Sequence, residues 1–130
     1  MQQYTVADVL DVISDSKSLE MFTSIAKNGG DSEELKHTKE LTKKQFYSRM
    51  KELMNAGVVK RDKGRFSLTS LGAIVYHAQL IIESGINNYW KLRALDSIQS
   101  SGEIAEHERL KLVKTILNDN MMENILVKQA

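Results

Sequence analysis

The chain has 130 residues, 42% of them hydrophobic and 27% charged, and a formal net charge of +1. This composition is typical of one ordinary globular domain, or of a small domain with an appended helical segment. The absence of cysteine excludes disulfides, thiolate metal sites and a cysteine nucleophile. No apolar run approaches the roughly 18 residues that cross a bilayer, and no signal-like segment opens the chain, so we expect a cytoplasmic protein without membrane contact.

The first forty residues predict three helices. Apolar residues recur at helical spacing over 5–14, behind a candidate cap at Thr5. The same spacing returns over 17–28, and a pair of glycines then ends the helix. Asp31 and Glu34 have the spacing of a capping box, which predicts a short helix to about residue 38.

A fourth helix is predicted over 43–56. Thr42 and Gln45 have the spacing of a capping box, in which both side chains satisfy backbone N–H groups at the helix start. Gly57 ends the helix, since glycine reaches the left-handed conformation without steric cost. One stripe is apolar and is expected to pack on a core: Phe46, Met50, Leu53, Met54 and Gly57. The opposite side is polar: Lys44, Gln45, Ser48, Lys51 and Glu52.

Two short strands are predicted directly after this helix. Residues 58–61 and 65–69 flank an Asp-Lys-Gly turn, which is typical of a β-hairpin. A winged helix-turn-helix has the same order of elements: helices, then a capped basic helix, then a short hairpin. The second helix of its helix-turn-helix pair enters a major groove. The predicted fold class is mainly α with a small β-hairpin: a winged helix-turn-helix followed by C-terminal helices.

Helical patterns fill the rest of the chain. A helix capped by Thr69 or Ser70 carries an apolar stripe that we expect to close the winged-helix core: Leu71, Ile74, Val75, Ala78 and Ile82. Further apolar patterns run to about residue 99 and from 104 to 126, with a Ser-Ser-Gly loop between them. We therefore predict a winged helix-turn-helix DNA-binding domain over 1–83 and a helical dimerisation segment over 84–130.

Positive charge is concentrated between Lys43 and Phe66. This window holds eight Lys or Arg and two acidic residues, a net of +6, so the rest of the chain carries −5 against the total of +1. Such asymmetry indicates one basic surface for a polyanion and an acidic remainder.

The region from Leu41 to Thr69 resembles predicted winged helix-turn-helix transcriptional regulators of archaea. The motifs that carry the resemblance are L-T-K-K-Q-F-Y-S-R-M-K-E-L-M-N-A-G-V-V-K-R and K-G-R-F-S-L-T-S-L-G. The helical patterns at 86–98 and 108–119 look like the C-terminal helices that follow the wing in that group. The resemblance covers about residues 17–126 and implies a DNA-binding regulator, commonly dimeric.

The predicted DNA-binding residues lie in two groups. The recognition helix supplies Lys43, Lys44, Gln45, Tyr47, Ser48, Arg49 and Lys51. The wing supplies Lys60, Arg61, Lys63 and Arg65. Amide and hydroxyl groups can read base edges, while cations contact phosphates, Tyr47 and Arg49 among them. The alternatives are an ordinary solvated helix face, and wing charges that protect an edge hairpin from pairing with other chains.

A dimer interface is predicted in the C-terminal segment. Its residues are Tyr89, Trp90, Leu92 and Leu95, because an apolar face of that size exceeds what the small core can cover. The alternatives are plain core packing, and a small-ligand pocket between this helix and the last ones. No effector is evident, so the expected partners are double-stranded DNA and a second copy of the chain.

The sequence contains no enzyme or metal-site motif. His37, His77 and His107 lie in separate segments, and no nucleophile elbow, P-loop or dinucleotide-binding glycine pattern occurs. We expect a non-enzymatic protein without a cofactor. Two rival functions use the same fold: a winged-helix module that docks other proteins, and a nonspecific architectural DNA-binding protein, against which the near-neutral total charge argues.

Overall fold

A computed structural model describes residues 4–31, 35, 41–100, 102 and 105–127. In that part of the chain, seven helices and one three-stranded antiparallel sheet form the structure, which confirms the predicted fold class. The first elements are α1 Val6–Val12, α2 Ser16–Asn28, β1 Gly30–Asp31, α3 Lys43–Asn55, β2 Val59–Asp62 and β3 Arg65–Leu68. The remaining helices are α4 Ser70–Asn87, α5 Tyr89–Ser100, α6 Glu106–Leu117 and α7 Asn120–Val127.

The first two helices begin at side-chain caps. Thr5 and Asp8 form a reciprocal capping box at α1, as the candidate cap at Thr5 predicts. Asp15 caps α2 by accepting a hydrogen bond of 2.6 Å from the Ser18 N–H, a cap that the helical periodicity alone does not identify. The helix predicted from Asp31 to about residue 38 falls mainly outside the described residues, of which Leu35 is helical and buried.

Helix α3 is fixed at both ends by local hydrogen bonds. The Gln45 N–H donates to the Thr42 hydroxyl and the Thr42 N–H to the Gln45 side-chain oxygen, both at 3.1 Å, which confirms the predicted capping box. At the other end Gly57, with φ 80°, donates to the Met54 carbonyl, and the next N–H reaches back to Leu53. This pair of bonds is a Schellman motif, in which glycine takes the left-handed position.

The sheet has the order β1–β3–β2, with both pairs antiparallel. Strands β2 and β3 form the predicted hairpin, whose two-residue turn Lys63-Gly64 has positive φ at both positions, as a type I′ turn requires. Strand β1 pairs with the other side of β3, with Gly30 opposite Phe66. The glycine pair after α2 therefore both ends the helix and opens a third strand, which the sequence pattern does not predict.

The chain forms two compact units, residues 1–77 and 78–130, with the boundary inside α4. The core of the first unit collects residues from α2, α3, β2, β3 and the segments beside them: Met21, Phe22, Ile25, Leu35, Phe46, Met50, Leu53, Val58, Val59 and Phe66. Three phenylalanines from three different elements are each at most 2% exposed. The helix α3 therefore rests on a core that the whole unit builds.

The first turns of α4 meet that core through a glycine. The Gly72 N–H donates to the Thr69 hydroxyl at 2.9 Å, and a Cβ at Gly72 would lie 2.0 Å from the Val58 carbonyl oxygen. Leu71 and Val75 pack on the core beside it. The prediction of one buried stripe is wrong at Ile74, which is 68% exposed because it lies opposite Gly72 on the helix. It is also wrong at Ala78, which is exposed.

The second unit has a smaller core. Its buried residues are Leu95, Val113, Leu117 and Met122, against which Leu92, Leu112, Ile116, Leu126 and Val127 pack. Helix α6 ends at Asn118 in the left-handed conformation, and Asp119 caps α7 by accepting a 3.0 Å bond from the Met122 N–H. Ile82, the last residue of the stripe predicted to be buried, is 59% exposed here. No helix in the described ranges is long and apolar enough to span a bilayer.

Candidate nucleic-acid interface

Helix α3 presents one polar face to solvent. Phe46, Met50 and Leu53 on its inner side are at most 1% exposed. The opposite side carries exposed residues only: Lys43, Lys44, Gln45, Ser48 and Lys51. Because the buried side is held by the core, the orientation of the polar face is fixed with it.

Gln45 has two distinct ends. Its side-chain oxygen accepts the Thr42 N–H in the capping box, so this oxygen orients the helix start. Its amide nitrogen has no hydrogen-bond partner among the described residues, and the residue as a whole is exposed. The amide N–H groups can therefore donate to a base acceptor while the oxygen keeps the cap.

Arg49 is placed differently from the other cations of α3. Its Nη2 lies 3.3 Å from an Asp15 carboxylate oxygen, and its side chain is only 24% exposed. Hydrogen bonds from Ser18, followed by the charge of Arg49, hold the pKa of Asp15 below its usual value. The cap of α2 is therefore also the ionic partner of α3, and Arg49 joins the two helices.

Tyr47 lies on the flank of α3. It is 41% exposed, and its ring stands edge-on to Phe46 with the centroids 5.1 Å apart. The ring is thus supported by the core on one side while its hydroxyl remains within reach of solvent. This position suits a contact to a phosphate beside the groove rather than to a base within it.

The wing carries its cations on a short two-stranded ribbon. All four predicted residues are exposed: Lys60, Arg61, Lys63 and Arg65. The Arg61 guanidinium lies 5.3 Å from the centroid of the Phe66 ring, a cation–π contact across the strand pair. Lys63 occupies the turn itself with φ 53°, a conformation that non-glycine residues rarely adopt. The tip of the wing is therefore a cation held in a strained turn position.

The four residues predicted for the dimer interface separate in the structure. Tyr89 and Trp90 are 49% and 77% exposed, with their rings edge-on at 5.3 Å. Leu95 is only 3% exposed in the core of the second unit, and Leu92 packs beside it. Helix α5 turns Leu95 into the core with α6, whereas Leu92 is partly exposed beside it.

Two isoleucines that the interface prediction omits join the exposed rings. Ile82 and Ile86 are 59% and 68% exposed and precede Trp90 at intervals of four residues. The Asn88 N–H donates to the Ser84 carbonyl, and the Leu92 N–H to Asn88, so helical spacing continues across the junction of α4 and α5. We call Ile82, Ile86, Tyr89 and Trp90 the apolar face. The spacing of three or four residues between them was visible in the sequence, but their exposure was not.

The first unit has exposed apolar side chains of its own. Val6 and Leu10, one turn apart on α1, are 77% and 53% exposed. These two aliphatic residues form a smaller surface than the apolar face, which contains an indole and a phenol ring. They are nevertheless a second position at which chains could associate.

Within the described ranges, no group of three His, Asp or Glu residues is arranged to hold a metal ion. His77 and His107 are both exposed. His37 falls outside the described residues.

Comparisons with known proteins show a structural similarity but no family. No protein-family model matches the chain, and no curated protein matches it. A solved structure, an ArsR-like transcriptional regulator from Rhodococcus sp. RHA1, is similar over 77% of this chain and 93% of its own, with 18% identity and a TM-score of 0.49. At that identity and TM-score, the similarity does not decide what this chain binds.

Proposed function

We propose that this protein is a DNA-binding transcriptional regulator that inserts α3 into a major groove and lays the wing against the adjacent backbone. The proposal rests on one observation: the inner residues of α3 are buried, whereas its outer face is polar and exposed. A helix of this width fits the major groove, and its fixed orientation would hold the polar side chains against base edges. The exposed cations of the wing lie on the hairpin that follows it.

The residues divide into reading and anchoring roles. The Gln45 amide N–H groups and the Ser48 hydroxyl would contact base edges, while Lys43, Lys44 and Lys51 would neutralise phosphates or reach guanine. The wing cations would neutralise the flanking backbone or enter the minor groove. Tyr47 would contact a phosphate from the flank.

Arg49 receives a different role from the phosphate contact that its sequence position suggests. Its guanidinium lies 3.3 Å from the Asp15 carboxylate and its side chain is 24% exposed, so a phosphate would have to displace a partner already in place. In this proposal Arg49 is a positioning residue that holds α3 against the start of α2. Its effect on DNA binding would pass through the angle of the recognition helix.

The proposed functional unit is a homodimer that associates through the apolar face. A symmetric interface uses the same patch twice, so the ring pair of Tyr89 and Trp90 on each copy would be covered by its counterpart. Specific interfaces bury about 800 Å² on each partner, and a cluster of two rings and two isoleucines supplies a desolvated centre for such an area. Two winged helices in one dimer would read half-sites about 34 Å apart, one turn of DNA.

Selection from a random duplex DNA library at near-physiological salt tests the function. Enrichment of two half-sites in inverted orientation is the expected result and would support a specific dimeric regulator. Binding without enrichment would favour the nonspecific architectural protein, since neutralised phosphates carry no sequence information. If the folded protein binds no DNA, the regulator assignment fails, and the apolar face would then favour the protein-docking module.

A further inference from the structure

The second unit contains a cavity that the proposed DNA-binding function does not use. Its volume is about 150 Å³, which is enough for a benzene-sized molecule. Helices α5, α6 and α7 each contribute lining residues: Leu92, Leu95, Asp96, Gln99, Arg109 and Leu126. Three leucines thus share the cavity with one cation, one carboxylate and one amide.

Arg109 is the least satisfied side chain in this lining. Its side chain is 15% exposed, and its Nη2 donates to the Leu126 carbonyl at 3.2 Å. The nearest carboxylate oxygen in an ion pair belongs to Glu106, 3.9 Å from Nε on a side chain that is 62% exposed. Nη1 is buried and has no hydrogen-bond partner in the described part of the chain. A mostly buried guanidinium therefore keeps an unused donor and has only a distant, solvated counter-ion.

A buried cation in this state favours an anion, because charge-assisted hydrogen bonds to a carboxylate satisfy both the charge and the donor. The three leucines favour an aliphatic group of a few carbons next to that anion. Asp96 is exposed at the rim of the cavity, so it would disfavour a second negative charge on the ligand. The lining thus selects for one carboxylate on a compact aliphatic body.

We propose that the cavity between α5, α6 and α7 binds a small aliphatic monocarboxylate, with Arg109 as its anion contact. The site lies within one unit and uses none of the residues of α3, the wing or the apolar face. Ligand binding here is consequently measurable without DNA. Its failure would leave the DNA-binding proposal unaffected, and the failure of that proposal would leave this one intact.

Titration of the full chain with 3-methylbutanoate, followed by the methyl NMR signals of Leu92, Leu95 and Leu126, tests the site. We expect these three signals to shift in a saturable manner with a Kd on the order of 1 mM or below. The neutral analogue 3-methylbutanamide has nearly the same shape and should bind at least about ten-fold more weakly. Equal binding of the two compounds, or no saturable shift of these signals, would overturn the proposal.

Three variants separate the anion contact from general stability. Arg109→Met keeps the apolar stem and removes the guanidinium, so binding of 3-methylbutanoate should fall by about ten-fold or more. Lys111→Met, at an exposed position on the same helix, is the matched control and should bind normally. Asp96→Asn removes the competing charge and should tighten binding by about three-fold or more, an outcome that an unfolded variant cannot produce. Unchanged binding in both Arg109→Met and Asp96→Asn would overturn the role of the charges.

Discussion

The two compact units differ in where their largest rings lie, although Tyr4 and Tyr47 of the first unit are partly exposed. In the first unit Phe22, Phe46 and Phe66 are at most 2% exposed and form the centre of the core. In the second unit Tyr89 and Trp90 lie on the surface, while the core contains only aliphatic residues and methionine. The first unit thus buries its phenylalanines and offers charge to solvent, whereas the second leaves Trp90 exposed, together with Tyr89, whose ring contacts Arg93.

In the proposed function, this difference separates the surface that binds DNA from the surface that joins the two copies. Charge on a rigid helix suits a polyanion that keeps much of its water, and exposed rings suit a surface that excludes water. The proposed function therefore assigns DNA recognition to the first unit and dimer assembly to the second. Five changes test the roles and the packing of the two units, in order of decreasing expected effect.

The largest effect is expected at the apolar face. Ile86→Glu puts a charge in the proposed interface of each copy, at about 2 kcal/mol per copy and about 4 kcal/mol per dimer, so the dimer Kd should rise roughly a thousand-fold. Sedimentation equilibrium measures this change directly. Trp90 is the single tryptophan, and its emission should shift to the blue with concentration in the wild type but not in the variant.

Two controls accompany this measurement. Lys91→Ala changes an exposed residue of α5 next to the ring pair and should leave the dimer Kd within about three-fold. Leu10→Glu changes the smaller exposed surface of α1 and should also leave the dimer intact. If Leu10→Glu dissociates the dimer and Ile86→Glu does not, the interface belongs to the first unit.

The next effect compares two glycines of α4, one in each unit. Gly72→Ala would bring a Cβ to 2.0 Å from the Val58 carbonyl, so the helix must move off the core, at a cost of about 2–4 kcal/mol in unfolding free energy. At Gly85 the nearest atom would be a Leu92 methyl at 4.0 Å, and alanine there should stabilise the helix by about 0.5–1 kcal/mol. Urea unfolding measures the change in unfolding free energy for both variants, which should be a loss at Gly72 and a gain at Gly85. Similar changes in both variants would contradict the close approach at Gly72.

The third change separates the two ends of Gln45. Gln45→Glu keeps the capping oxygen, because either residue completes the capping box, but removes the amide donors and adds negative charge. The affinity for the selected DNA site should fall by about ten-fold to a hundred-fold, while the unfolding free energy changes by less than about 0.5 kcal/mol. Equal affinity of variant and wild type would remove Gln45 from the base-reading role.

Lys44→Ala supplies the comparison for that experiment. It should weaken binding to specific and nonspecific DNA alike and lower the salt dependence by about one phosphate contact. The control is Lys114→Ala, at an exposed position of α6 in the second unit. It should change neither the affinity for DNA nor the salt dependence of binding. If Lys44→Ala weakens binding only to the specific DNA site, Lys44 contacts a base and not a phosphate.

The fourth effect tests how the first unit holds α3. Asp15→Ala removes the cap of α2 together with the partner of Arg49, and should cost about 1 kcal/mol at pH 7. Because the pKa of Asp15 is lowered from 3.8, its contribution is present above that value and is lost as the pH falls through the lower pKa of the folded state. Urea unfolding between pH 2 and 7 should therefore show a steeper acid loss in the wild type than in Asp15→Ala. Parallel pH profiles would contradict the ionic role of Asp15.

The smallest effect is expected at the tip of the wing. Lys63→Asn places a residue that tolerates positive φ at the turn and should raise the unfolding free energy by about 0.5 kcal/mol. The same change removes one cation, so DNA affinity should fall and its salt dependence should decrease. Stability and affinity would thus move in opposite directions. A variant that improves both would show that the charge of Lys63 does not contact DNA.

Local features of the first unit could be predicted from the sequence. The capping box of Thr42 and Gln45, the helix stop at Gly57 and the Lys63-Gly64 turn each depend on residues within a few positions of one another. Their hydrogen bonds form within one turn of the chain, so the residue types alone predict them. The same holds for the Thr5 cap of α1. The positions of the cations on α3 and the wing followed once these elements were defined.

Features that depend on distant residues could not be predicted in this way. The sequence predicts that Arg49 is a surface cation. Only the fold brings Asp15, 34 positions earlier, beside it as an ionic partner. Strand β1 is only two residues long and is defined by its pairing with β3. Leu95 and Trp90 belong to the same apolar pattern, and only the packing of α6 and α7 distinguishes the buried residue from the exposed one.

The sequence by itself determined the helices, their caps, the hairpin and the concentration of positive charge, because these arise from neighbouring residues and from composition. The tertiary structure decided which side of each helix is buried. It turned Gly72 towards Val58 and Ile74 towards solvent, paired Arg49 with Asp15, and enclosed a cavity beside Arg109. The physical reason is that helical periodicity fixes which residues share a face, whereas burial depends on contacts between segments far apart in the chain.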